Sequence, residues 1–174
     1  MNVSLQSYFS STVNGQPTNI TGGFGDLVMR TDLLNQGATM PQGVVSLPGV
    51  PTADVRFIQG TATSDGIVRP GSGGRGNQNL RETTKFYGKN GQINLDNIPL
   101  IRTPEVILTL AEALFFLGNE DAARTNLANI IRNRYINVNS LLTSVTITLT
   151  GQGLLNEILR QRRLELAFEG HRFF

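Results

Sequence analysis

Eight charged side chains between residues 105 and 172 have the types and spacing to do chemistry: Glu105, Glu112, Arg132, Arg134, Arg162, Glu165, Glu169 and Arg172. Carboxylates beside guanidiniums act as general acids and bases, or clamp a substrate's polar groups, when a cleft perturbs their titration. On helices that repeat an apolar face, the same residues form half-buried ion pairs that orient neighbouring helices. The runs that carry them, such as RQRRLELAFEG at 160–170, mix charge with leucine at helical spacing. The structural role is therefore expected, and no catalytic residue is assigned.

Other candidates for chemistry are thinner. His171 follows Gly170 at a helix end, and no serine or cysteine nucleophile is arranged around it. The run GSGGRG at 71–76 superficially suggests a phosphate cradle, but it lacks the Lys-Ser/Thr of a P-loop and no helix pattern follows it. Six aromatics, Tyr8, Phe9, Phe24, Phe57, Phe86 and Tyr87, offer flat apolar rings on which a sugar ring could stack while polar groups bind its edges. Each could equally pack on a core, and the absence of tryptophan counts somewhat against a stacking platform.

Composition narrows the partners. The pI is about 9.4, yet the net charge is only +2. Acids are interspersed among the arginines in both halves, so no single-sign field is built for a nucleic acid. Arginine outnumbers lysine 13 to 2, which suits fixed bidentate pairing. With no cysteine and one histidine, neither a disulfide framework nor an ordinary thiolate or multi-histidine metal site is expected, and no cofactor is implied. No apolar run approaches the roughly 18–20 residues of a bilayer span. The start, MNVSLQSYFSSTVNGQ, lacks the basic and apolar regions of a signal peptide.

The elements that must position these groups divide by composition. Residues 1–98 hold fifteen of the nineteen glycines and read as a loop-rich region with short strands. Strand candidates are NVSLQSYFS, DVRFIQG and TTKFYGKNGQINL, with a hairpin near 85–95 signalled by Asn90-Gly91, since both central residues of a type I′ turn need positive φ. The run at 64–79 has the make-up of a mobile surface loop. Residues 99–174 read as helices at about 104–117, 120–133 and 154–168. Thr103 is the expected cap of the first helix with Pro104 in its first turn, Gly118 its stop, and Asn119 the cap of the second. Ile107, Leu110, Leu114 and Leu117 are the expected apolar face of the first helix; Ala123, Leu127, Ile130 and Ile131 form that of the second. One tight turn forces the two to pack antiparallel, in the manner of a tetratricopeptide hairpin, with the last helix as a cap. Arg162 and Arg163 are expected to pair locally with Glu165 and Glu169. The fold class is mixed, mainly α (α+β), and the two regions are expected to be parts of one larger domain.

The segments IPLIRTPEVILTLAEAL, LANIIRNRY and LLNEILRQRRLELAFEGHRFF, in this order, resemble the C-terminal half of the SusD/RagB family of nutrient-binding lipoproteins of the Bacteroidetes outer membrane. The resemblance rests on Ile101-Arg102, Pro104-Glu105-Val106, Ala111-Glu112-Ala113, Leu127 to Arg134, and Arg162 to Arg172; DVRF and TKFY upstream are short, weaker matches. Gln161 departs from the acidic residue usual in the family, and Ala128 from its asparagine. The resemblance implies non-catalytic capture of oligosaccharide or polysaccharide, hand-over to a TonB-dependent outer-membrane transporter, and a surface-facing place held by a lipid anchor missing from this chain. It also implies residues before Met1 and after Phe174, so a fragment is expected. The competing expectation is a helical-repeat interaction scaffold without a small-molecule site, and a glycosidase with paired carboxylates stands third.

Overall fold

The computed structural model describes residues 31–41, 43–47, 51, 53–57, 100–137 and 140–170, with the strand pairs 12–13, 16–17, 69–70 and 81–82. In chain order the elements are β1 (Thr12–Val13), β2 (Gln16–Pro17), α1 (Thr31–Ala38), β3 (Val44–Leu47), β4 (Ala53–Asp54), β5 (Arg69–Pro70), β6 (Arg81–Glu82), α2 (Thr103–Phe116), α3 (Glu120–Arg134), β7 (Tyr135–Asn137), β8 (Ser140–Leu141), β9 (Ser144–Ile147) and α4 (Gly151–Glu165). The fold is α+β and mainly helical, with short antiparallel strands. Two compact units emerge: Met1–Leu34 with Arg56–Leu100, and Asn35–Val55 with Ile101–Phe174.

The first unit contains two antiparallel ribbons, β1 with β2 and β5 with β6. The strand expectations at 2–10 and 83–95, and the hairpin near 85–95, lie outside the described residues. β5 falls inside the stretch expected to be a loop, residues 64–79. DVRF is corrected: β4 reaches only Asp54, and Val55 to Phe57 form a turn. The reason lies in its partner. Ala53 pairs with Ile136 and Asp54 with Tyr135, so the next partner would be Arg134, which already belongs to α3.

The second unit is built on the α2–α3 hairpin, with α4 laid against α2 and α3. Pro104 sits in the first turn of α2, where a missing N–H costs nothing. The cap position is Arg102, however, and Thr103 is already helical; no side chain caps this end. The other end closes through Gly118 at φ 77, whose N–H donates to Phe115 O (2.9 Å) while Asn119 N–H donates to Leu114 O (2.9 Å). That left-handed residue reverses the chain, and the Asn119 side chain accepts from Ala122 N–H at 3.2 Å to start α3.

Leu108, Ala111, Ala123, Leu127, Ile131, Leu154 and Ile158 are all fully buried and form one cluster with Ile130, Tyr135, Leu142 and Ile147. Each large aliphatic member contributes about 1.5–3 kcal/mol through removal from water. The face of α3 lies as its spacing implies. That of α2 is rotated: Ile107 and Leu114 pack on the core, but Leu110 and Leu117 are exposed. α2 is apolar around so much of its circumference that several stripes fit a three-four spacing, and the small Ala111 sits where α3 approaches.

Between α3 and α4 the chain forms strands, which the helical reading of 99–174 omits. β9 alternates, with Ile147 buried and Ser144 and Thr146 exposed, and pairs with β3 in the register Val44↔Ile147 to Leu47↔Ser144. β4, β7 and β8 form a three-stranded sheet. α4 begins three residues earlier than expected and stops at Glu165: the backbone leaves the helix at Leu166 (φ -99, ψ 15), and Phe168 at φ 66 then turns the chain.

Candidate functional site

The densest polar constellation lies where the start of α2 meets the ends of α3 and α4. Arg102 precedes α2 in extended backbone, Arg134 is the last residue of α3, and Glu165 is the last of α4. α2 runs antiparallel to both other helices, so all three termini share one end of the bundle. The Arg134 Nε donates to Glu165 Oε2 (2.8 Å) and its Nη2 to Oε1 (3.0 Å), a bidentate pair. Arg102 Nη1 donates to Glu165 Oε1 (3.0 Å) and Nη2 to the Glu165 carbonyl (2.8 Å). Its Nε and Nη2 also reach the two carboxylate oxygens of Glu169. The left-handed Phe168 turns the chain after α4 so that Glu169 comes back to Arg102. Glu165 is 3% exposed, and two guanidiniums also supply positive charge at helix C-termini, where the dipole favours it.

A second constellation surrounds the fully buried Tyr135. Arg160 forms a bidentate pair with Glu157, both contacts at 2.8 Å, and donates to the Tyr135 hydroxyl at 3.2 Å. Gln161, also fully buried, donates from Nε2 to both the Tyr135 hydroxyl and Glu157 Oε1, each at 2.8 Å. Arg160 Nη1 further donates to the backbone carbonyls of Gln36 (2.9 Å) and Thr39 (3.0 Å). A third, more exposed group joins helix starts. Glu120 accepts from the Gly151 N–H at 3.1 Å and from Arg124, which also pairs with Asp121 and donates to Leu149 O.

Burial alone lowers the pKa of the Arg102 guanidinium, but hydrogen bonds and charge from Glu169 and Glu165 outweigh it, and the net direction is up. Arg160 follows the same course: burial lowers, and Glu157 and Tyr135 raise more. These cations are held charged. Glu157, Glu165 and Glu169 accordingly sit against fixed positive charge, an arrangement that orients helices.

Of the charged residues singled out in the sequence, Glu112 and Arg162 pair across α2 and α4. Arg134, Glu165 and Glu169 belong to the first constellation. Glu105 is half-buried in the first turn of α2, and Arg132 is exposed near the end of α3. Arg172 and His171 lie outside the described residues. So do the GSGGRG run and the aromatics Tyr8, Phe9, Phe24, Phe86 and Tyr87; Phe57 alone of the six is described, half-buried in the turn after β4. Local pairing of Arg162 with Glu165 or Glu169 is replaced by the contact to Glu112, fifty residues away. Sequence reasoning missed Arg102, Glu157, Arg160 and Tyr135 as members of these networks. Arg160 and Glu157 stand three apart on one helix, which was a usable signal; the reach of Arg102 to Glu165 and Glu169 crosses more than sixty residues and gave none. Among the described residues no group of three or more His, Cys, Asp or Glu is placed to hold a metal ion.

Comparison with curated proteins and with solved structures finds no match. A family comparison does: the SusD family model matches residues 29–174, which include all three constellations and the helices that carry them. The chain belongs to the SusD family.

Proposed function

We propose that this chain serves nutrient capture: its protein binds an oligosaccharide or polysaccharide at the outer face of the outer membrane and hands it to a TonB-dependent transporter, with no bond made or broken. The observation that carries the reading is the family match over 29–174. The paired state of Glu112, Glu157, Glu165 and Glu169 agrees with it, since these carboxylates are engaged by guanidiniums and serve the scaffold. Glu105, Arg132 and Arg172 are assigned the same scaffold role on their positions in the sequence. Ligand contact is assigned to the aromatics Tyr8, Phe9, Phe24, Phe57, Phe86 and Tyr87, and membrane association to a lipid anchor. Hand-over requires reversible release, so a dissociation constant of about micromolar to millimolar suffices.

A glycan panel tests this reading by saturation-transfer NMR on the chain, with the ligand recovered afterwards for mass analysis. Reversible binding of an intact glycan, weakened by Phe57→Ala, supports capture. Cleavage of the glycan would move the protein to an enzyme class.

A second reading, the interaction scaffold, draws on one observation. Val106, Leu110, Phe116 and Leu117 leave α2 with an exposed apolar face. Its test is capture of a protein partner that Leu110→Asp abolishes while glycan binding is absent throughout.

A further inference from the structure

Arg160 does more than pair with Glu157. Its Nη1 donates to the carbonyls of Gln36 and Thr39, at the C-terminal end of α1. α1 has only eight residues and no basic residue in its own last turn. It packs broadly on no other described helix or strand, unlike α2, α3 and α4. A short helix of this kind is marginal without tertiary support. The cation that satisfies its last carbonyls is supplied from α4, more than 120 residues away in sequence.

Fixed points bound the segment on its C-terminal side. Met40 packs against the hydrophobic core and Pro41 is buried. Gly43 O then accepts from both the N–H (2.8 Å) and the hydroxyl (3.0 Å) of Thr148, and the β3–β9 ladder begins. One further observation sets the balance: Gln36 Oε1 is buried with no hydrogen-bond partner. An unsatisfied buried acceptor disfavours the closed arrangement, and opening would let water reach it. Arg160 meanwhile keeps Glu157 and the Tyr135 hydroxyl when the two carbonyls leave, so opening strands no charge.

We infer that Arg160 is a latch: it holds the end of α1, residues 35–39, on the helical unit, and this segment opens on its own while α2, α3 and α4 stay folded. Arg160 is here a positioning residue. The device consists of the guanidinium, two carbonyls and the unsatisfied Gln36 amide oxygen, with Met40 and Pro41 as the hinge side.

Native-state hydrogen exchange on the whole chain, read by NMR across low concentrations of urea, tests this directly. The amides of Ala38 and Thr39 are expected to exchange through a local opening that is insensitive to urea, whereas those of Ile130 and Ile131 exchange through urea-sensitive global unfolding. In Arg160→Lys, which keeps a cation beside Glu157 but loses the planar fork that spans two carbonyls, exchange at Ala38 and Thr39 should rise at least tenfold, and by more than any rise at Ile130 and Ile131 from the weakened bidentate pair with Glu157. A urea dependence at Ala38 and Thr39 equal to that of Ile130 would overturn the latch. So would Arg160→Lys leaving Ala38 and Thr39 unchanged, or raising exchange equally across the bundle.

Discussion

Replacing Glu165 by glutamine probes the junction on which the helical unit turns. Arg102, Arg134, Glu165 and Glu169 sum to zero charge, and Glu165 is 3% exposed while taking hydrogen bonds from both arginines. The substitution keeps the shape of the side chain but takes from Arg134 its bidentate carboxylate and leaves Arg102 with Glu169. Removing one partner of a buried pair costs about 3–5 kcal/mol, because the charge left behind is only partly compensated. For a chain of this size about 1 kcal/mol shifts Tm by roughly 2–4 °C, so a fall of about 6–20 °C is expected. Glu169→Gln leaves Arg102 with Glu165 and should cost less, about 1–2 kcal/mol. Asp121→Asn is the surface control: its side chain is 93% exposed against Arg124, and about 0–1 kcal/mol is expected. Urea unfolding followed by far-UV circular dichroism ranks the three, with unchanged m-values showing that one transition is being compared. If Glu165→Gln cost no more than Asp121→Asn, the junction would be a solvated surface network and the reasoning would fail.

Further outcomes follow from single contacts. Gln161→Glu would set a second carboxylate at the position from which the amide now donates to Glu157 Oε1, with Arg160 offsetting only part of the repulsion. One carboxyl of that pair would hold its proton above the usual carboxylate range, so the folded state would bind more protons than the unfolded one. The loss, about 3 kcal/mol, should therefore be present at pH 7 and shrink as pH falls toward 4; a loss independent of pH would refute the shared-proton account. Gly43→Ala adds a Cβ at 2.7 Å from Leu149 Cγ and Cδ2 on a backbone at φ 64, whereas Gly118→Ala at φ 77 meets nothing within 4 Å. Left-handed strain alone costs about 1–2 kcal/mol, so Gly118→Ala should lie in that range and Gly43→Ala above it; thermal melts in the reverse order would contradict the packing. Leu127→Ala, from full burial, should cost about 2–5 kcal/mol in the same assay.

The hairpin was legible because its punctuation is local. Pro104 in a first turn, Gly118-Asn119 at a reversal, and Ala123 to Ile131 on one stripe are all governed by neighbours within a turn or two. The strands between α3 and α4 were legible in principle, since SVTITL alternates, but the helical periods on both sides obscured a ladder whose partner, β3, lies about a hundred residues earlier. The charge networks were least legible. Helical spacing offers Arg162 the nearby Glu165 and Glu169, yet α4 turns that side chain toward Glu112, and Glu165 is taken by arginines from the junction instead. Gln161, a departure from the family pattern, is fully buried and donates to both the Tyr135 hydroxyl and Glu157, a bridge that helical spacing alone does not reveal because Tyr135 lies on another element.

Nutrient capture without chemistry is tested most directly by equilibrium binding of a glycan panel to this chain, with each glycan weighed before and after. At least one saturable, reversible interaction at micromolar to millimolar concentration is expected, with unchanged ligand mass. Hydrolysed glycan, or no interaction with any member at millimolar concentration, would contradict it.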